Sequence, residues 1–214
     1  MVKLNTDFRK LTTKDRYIEQ FFIQDGEELQ SGLIRRSVLL ALIEDLKYCL
    51  QFPKKFIDVG LSMEQVGPLE MITPTFTVCA LFFMGVDVLG RVLNRRMPNR
   101  NEGKSFFSET MLSLYDADPS EIKPLWTLRN DIIHSYKISD RCWITAGGKK
   151  YIEKLPEEGR WHFCLRPMLG ATQEAAKQLY NLTISQNNVQ RMTVAMYLQY
   201  KGFFVTGKPT QKIK

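Results

Sequence analysis

The residues best suited to chemistry lie together in Leu128-Arg129-Asn130-Asp131-Ile132-Ile133-His134-Ser135-Tyr136. His134 is one of only 2 histidines in the chain, and imidazole is the side chain that exchanges protons most readily near neutral pH. Arg129 can bind a carboxylate or a phosphate. At about 100° per residue, Leu125, Leu128, Ile132 and Tyr136 form one apolar stripe, which Trp126 and Ile133 widen. Arg129 projects from the middle of that apolar face. Two readings are open: its stem is packed and its charge paired with a buried carboxylate such as Asp87, or it binds phosphate in a cleft. Asn130 and His134 stand at i and i+4, a spacing that lets the amide orient the imidazole. Arg129 and His134 are about 140° apart on an ideal α-helix, so they converge only near a helix end or at a seam between two copies of the helix. A homodimer is the simpler arrangement.

The elements that position these residues read as mainly α. Lys14 to Ile23 is a short helix candidate, and Asp25 with Glu28 has capping-box spacing. From Glu27 to about Phe52, apolar residues recur every three or four positions, which predicts one long helix ended by Pro53. Residues 53–73 read as an irregular connector. Thr75 to Arg96 is a core helix; on it Asp87 and Arg91 form an i,i+4 pair, although Asp87 can also serve an incoming arginine. Ser105 to Tyr115 is the next helix. Asp118-Pro119-Ser120-Glu121 then starts the helix that carries the motif, with a kink or restart expected at Pro124. Around Gly147-Gly148 the pattern predicts a tight hairpin within an insertion at about 141–166. His162 lies opposite the apolar face of the strand Arg160 to Arg166 and reads as structural or solvated. Ala171 to Ile184 and Val189 to Tyr200 close the chain as helices, with a basic tail from 207 to 214. The whole reads as a single domain, a helical bundle with a small β-hairpin insertion before the C-terminal helices.

The chain has 214 residues, 30 Lys+Arg against 23 Asp+Glu, and a net charge of +7. It is long enough to bury a sizeable core, and its ordinary composition excludes disordered and collagen-like classes. Between Arg91 and Lys104 the bases Arg91, Arg95, Arg96 and Arg100 face one acid, Glu102, and no acid follows Glu174. That asymmetry predicts either a polyanion partner, nucleic acid first, or a solvated basic surface. Cys49, Cys79, Cys142 and Cys164 are too scattered for a zinc site and are expected to be reduced; no metal or cofactor is expected. The N-terminus lacks an apolar leader, and the apolar run within Pro74 to Leu93 is too short to span a bilayer, so the expectation is a cytoplasmic protein without a membrane partner.

Arg129-Asn130-x-x-x-His134 resembles the Arg-Asn-x3-His motif of HEPN proteins. The longer Arg-x4-His-x-Tyr pattern of HEPN toxins is met by Arg129, His134 and Tyr136. The resemblance covers mainly the helices at 27–136 and 168–200. It implies a HEPN-like bundle and a metal-independent endoribonuclease of toxin or phage-defence type, with catalytic Arg129, Asn130 and His134 lining a basic cleft in a homodimer. It also implies a possible nucleotidyltransferase-type antitoxin acting on Tyr136, which otherwise reads as a core tyrosine. The alternative is a non-catalytic HEPN module that binds RNA, a nucleotide or a protein, with Arg129 held in an internal salt bridge. A DNA-binding regulator ranks lower, since no helix-turn-helix signature is present.

Overall fold

The computed structural model describes residues 13–23, 27–28, 34–58, 68–135, 142–145, 148–155 and 159–207. Among them are seven α-helices and six short strands: α1 Thr13–Phe22, β1 Glu27–Glu28, β2 Ile34–Ser37, α2 Val38–Asp58, α3 Pro68–Asn94, α4 Gly103–Leu114, α5 Pro119–Asn130, β3 Cys142–Thr145, β4 Ile152–Leu155, β5 Arg160–Cys164, α6 Leu165–Ile184, α7 Asn188–Tyr200 and β6 Phe204–Gly207. A π turn, Asp131–Ser135, follows α5 directly. The chain divides into two compact units, one formed by residues up to Ala41 together with those from Lys177, the other by Leu42–Ala176.

In the first unit, α1 packs on α7 and the antiparallel sheet has the order β1-β2-β6. Its aromatic centre is Phe21, whose ring meets Phe22 at 4.8 Å and Phe203 at 5.6 Å. Ser37 does two jobs at a chain reversal. Its hydroxyl donates to the Phe21 carbonyl at 2.7 Å and accepts the Leu40 N–H at 3.4 Å, so one side chain secures α1 and helps start α2. A capping box between Asn187 and Gln190 starts α7.

The second unit is organised on α3. Cys79, Phe82, Phe83, Val86 and Leu89 are fully buried, and Phe82 meets Tyr115 at 5.5 Å and Tyr151 at 5.6 Å. Residues Thr75–Asn94 are long and apolar enough to cross a membrane by length and composition, but the burial of this helix within the protein is that of a core element. At Gly90 the helices α3 and α4 come so close that an added Cβ would stand 2.3 Å from Thr110 Oγ1. Asp118 and Glu121 form the expected capping box at the start of α5. The second sheet has the order β3-β5-β4, with β3 parallel and β4 antiparallel to β5.

Several expectations need correction. The single helix expected from Glu27 is a strand pair followed by a helix, because residues 34–37 pair with 204–207 at the far end of the chain, and long-range pairing overrides local periodicity. Helix α2 continues past Pro53 to Asp58, and α3 begins at Pro68, so helix occupies both ends of the expected 53–73 connector. Residues 59–67 lie outside the described residues, as do Asp25, Tyr136 and the tail 208–214. No restart occurs at Pro124; α5 runs through it to Asn130. The tight hairpin around Gly147-Gly148 is replaced by a hairpin of β4 with β5, while β3 joins the far side of β5. Gly148 is small for a different reason than a turn: an added Cβ would stand 2.2 Å from Cys164 Sγ on β5.

Candidate functional site

Arg129 is held from three sides within the second unit. Its Nη2 donates to Asp87 Oδ2 at 2.9 Å, Nη1 donates to its neighbour Asn130 Oδ1 at 3.3 Å, and its guanidinium carbon lies 5.0 Å from the centre of the Trp126 ring. Trp126 in turn rests against Phe107 at 5.4 Å. The arginine therefore emerges from the apolar face of α5 because an aromatic ring one turn earlier carries its charged plane and a carboxylate on α3 receives it. Asp87 makes no ion pair with Arg91; its partner is Arg129. The two side chains keep 30% and 17% of their surface exposed. Arg129 Nε is buried with no hydrogen-bond partner, so the guanidinium retains an unused donor.

Leu125, Leu128 and Ile132 are buried, as the stripe predicts. Beyond Asn130 the helix changes pitch. In the π turn the bonding pattern is i→i+5 rather than i→i+4, so more than four residues complete a turn. The separation of about 140° between residues five apart applies to an unbroken α-helix, and the π turn that carries His134 departs from it. The Asn130 amide oxygen, expected to orient His134, accepts from Arg129. His134 is exposed. Such single π turns occur often at functional sites.

The other expected polyanion-binding residues lie at the end of α3 and in the loop after it. Arg91 is in the last turn of α3, and Arg95 has a left-handed backbone with φ 53°. Arg96 is paired to Glu102 and sits over the Phe106 ring at 5.8 Å. Arg100 is exposed. The Asn99 N–H, and after it Arg96, hold the Glu102 carboxyl below its ordinary range. The acid in this basic segment is thus committed to closing the loop. An open groove of about 740 Å³ runs along α4 from Asn101 to Ser113 and includes neither Arg129 nor His134.

Two polar or aromatic groups were not anticipated. Lys150 donates to both carboxylate oxygens of Glu121 at 3.0 and 3.1 Å and to the Asp116 carbonyl at 3.3 Å, joining the segment before β4 to the start of α5. Trp143 on β3 stacks with His162 on β5, ring centres 5.8 Å apart. The alternation of Trp161, Phe163 and Leu165 signals the strand, but the cross-strand partner of His162 depends on the parallel pairing. All four cysteines are free, and burial pushes the Cys79 thiol up to about 12. Among the described residues no three His, Cys, Asp or Glu side chains are grouped to hold a metal ion. Compared with known families, characterised proteins and solved structures, the chain matches none of them.

Proposed function

We propose that the protein is a metal-independent endoribonuclease of the HEPN kind, acting as a homodimer in which two copies of the Arg129/His134 motif share one cleft. The observation that supports it most is the π turn Asp131–Ser135, which begins two residues after Arg129, departs from the α-helical spacing that would hold Arg129 and His134 about 140° apart, and carries an imidazole open to solvent. In this reading His134 takes the proton of a ribose 2′-OH or delivers one to the leaving 5′ oxygen. Arg129 stabilises charge developing on the phosphate. The 2′-oxygen attacks phosphorus as the 5′ P–O bond breaks, giving a 2′,3′-cyclic phosphate and a 5′-OH. Asp87 and Trp126 position Arg129, and Arg91, Arg95 and Arg100 supply positive potential along the RNA.

The test is incubation of single-stranded RNA in EDTA with the protein and with His134→Ala and Arg129→Ala. Loss of cleavage by at least roughly 100-fold in His134→Ala is expected. Equal cleavage by all three proteins would sink the proposal.

One observation favours a second reading, a non-catalytic HEPN module that binds RNA, a nucleotide or a protein. The Asp87 carboxylate already offsets the charge of Arg129 at 2.9 Å, which weakens its pull on phosphate. That reading expects RNA or protein association without cleavage.

A further inference from the structure

The outer face of the second sheet carries an aromatic and cationic group that the ribonuclease reading does not use. Directly opposed residues on neighbouring strands share a face. The pairs Trp143↔His162 and Glu153↔His162 therefore put Trp143, His162 and Glu153 in one row, while Ile144↔Phe163 and Ile152↔Phe163 form the opposite row. Phe163 and Ile152 are buried. Arg160, two residues before His162, shares the outer face, and its guanidinium carbon lies 5.1 Å from the centre of a Trp143 ring. The indole and imidazole planes are nearly parallel, at 21°. Trp143 nonetheless remains 47% exposed. Both of its partners come from β5, and β3 is one of the two edge strands of the β3-β5-β4 sheet among the described residues.

A large exposed indole that is oriented by an arginine and a histidine, on a strand rather than a loop, is an arrangement on which an unpaired nucleobase can stack. The charge of the face is carried by the cation Arg160 and the acid Glu153. Glu153 Oε1 accepts the N–H groups of Lys149 at 2.6 Å and Lys150 at 2.9 Å, so its charge is turned to the local backbone.

We propose that the Trp143/Arg160/His162 face binds single-stranded RNA, one base stacking on Trp143 while Arg160 meets the adjoining phosphate. The choice of RNA over DNA rests on the ribonuclease reading; the stacking site rests on the sheet. Binding is measured by fluorescence anisotropy with a labelled adenosine 12-mer RNA at low salt, in the His134→Ala background so that the probe survives. Trp143→Ala is expected to weaken binding roughly ten- to a hundredfold, Trp143→Phe to restore most of it, and Arg160→Ala to weaken it and flatten its salt dependence. Trp143 is exposed, so unchanged circular dichroism and melting of the variants serve as the folding control. Unaltered affinity in Trp143→Ala overturns the proposal, and so does failure of Phe to rescue. Tighter binding of the matching DNA 12-mer overturns the assignment to RNA. The two readings fail separately: His134-dependent cleavage with Trp143-independent binding removes this site alone, whereas Trp143-dependent binding without His134-dependent cleavage removes the ribonuclease and keeps the site.

Discussion

Arg129 Nη2 and Asp87 Oδ2 stand 2.9 Å apart, 42 residues distant in sequence, and join the motif helix α5 to the core helix α3. Pairing across two helices ties the position of a candidate catalytic cation to the packing of the bundle. Both side chains are partly exposed, so solvent screening limits the contribution of the pair to stability, and a double-mutant cycle with Asp87→Ala and Arg129→Ala is expected to give a coupling of about 1 kcal/mol. Urea unfolding of the four proteins measures it. A coupling of zero would mean that the contact does not hold Arg129 in place. If Asp87 orients Arg129 for catalysis, Asp87→Asn lowers cleavage as well.

Glu121 serves two partners at once. It completes the capping box by accepting the Asp118 N–H at 2.8 Å and receives the Lys150 ammonium on both oxygens. Its side chain is only 11% exposed. Glu121→Ala leaves the Asp118 N–H without its acceptor and the Lys150 ammonium without its carboxylate, at an expected cost of about 1–3 kcal/mol in chemical unfolding. Lys150→Met, which keeps most of the stem, should cost less than Glu121→Ala; the reverse order would show that the cap is unimportant.

Gly90 sets the distance between α3 and α4. An alanine there would put Cβ 2.3 Å from Thr110 Oγ1 and 2.9 Å from the Phe106 ring. Thr110 is buried and its hydroxyl donates to the Phe106 carbonyl, so relief requires that the helices separate or that this bond be lost. Gly90→Ala is expected to destabilise by about 1–3 kcal/mol, despite the better helix propensity of alanine. A melting temperature equal to that of the parent chain would contradict the close approach.

Acid should weaken the local backbone around two glutamates. Glu153 is held below the ordinary value of 4.5 by the Lys150 N–H and then the Lys149 N–H; Glu102 is lowered likewise, by the Asn99 N–H and then Arg96. A carboxyl more acidic in the folded than in the unfolded chain contributes fully above the unfolded value and loses that contribution as pH falls through the folded one. Melting temperatures of the parent should fall below about pH 4.5, and those of Glu153→Gln plus Glu102→Gln should fall less steeply. Parallel curves for the two proteins would rule these groups out.

How much was legible follows from how local each signal is. The cap at Asp118 and Glu121, the buried stripe of Leu125, Leu128 and Ile132, and the central apolar helix around Phe82 and Phe83 all depend on residues within a turn or two, and each was readable from residue types and spacing. The route of residues 27–37 was not, because an Ile34–Ser37 strand exists through its pairing with Phe204–Gly207. Nor was the partner of Gly148, which is Cys164 on β5 rather than a turn of its own. At the motif, the order Arg-Asn-x3-His places the reactive groups close together in sequence, but the π turn after Asn130 and the pairing of Arg129 with Asp87 belong to the packed state. Periodicity and capping are written in neighbouring residues; strand partners, helix pitch under packing and cross-helix ion pairs are settled by residues far away in the chain, whose meeting no local pattern specifies.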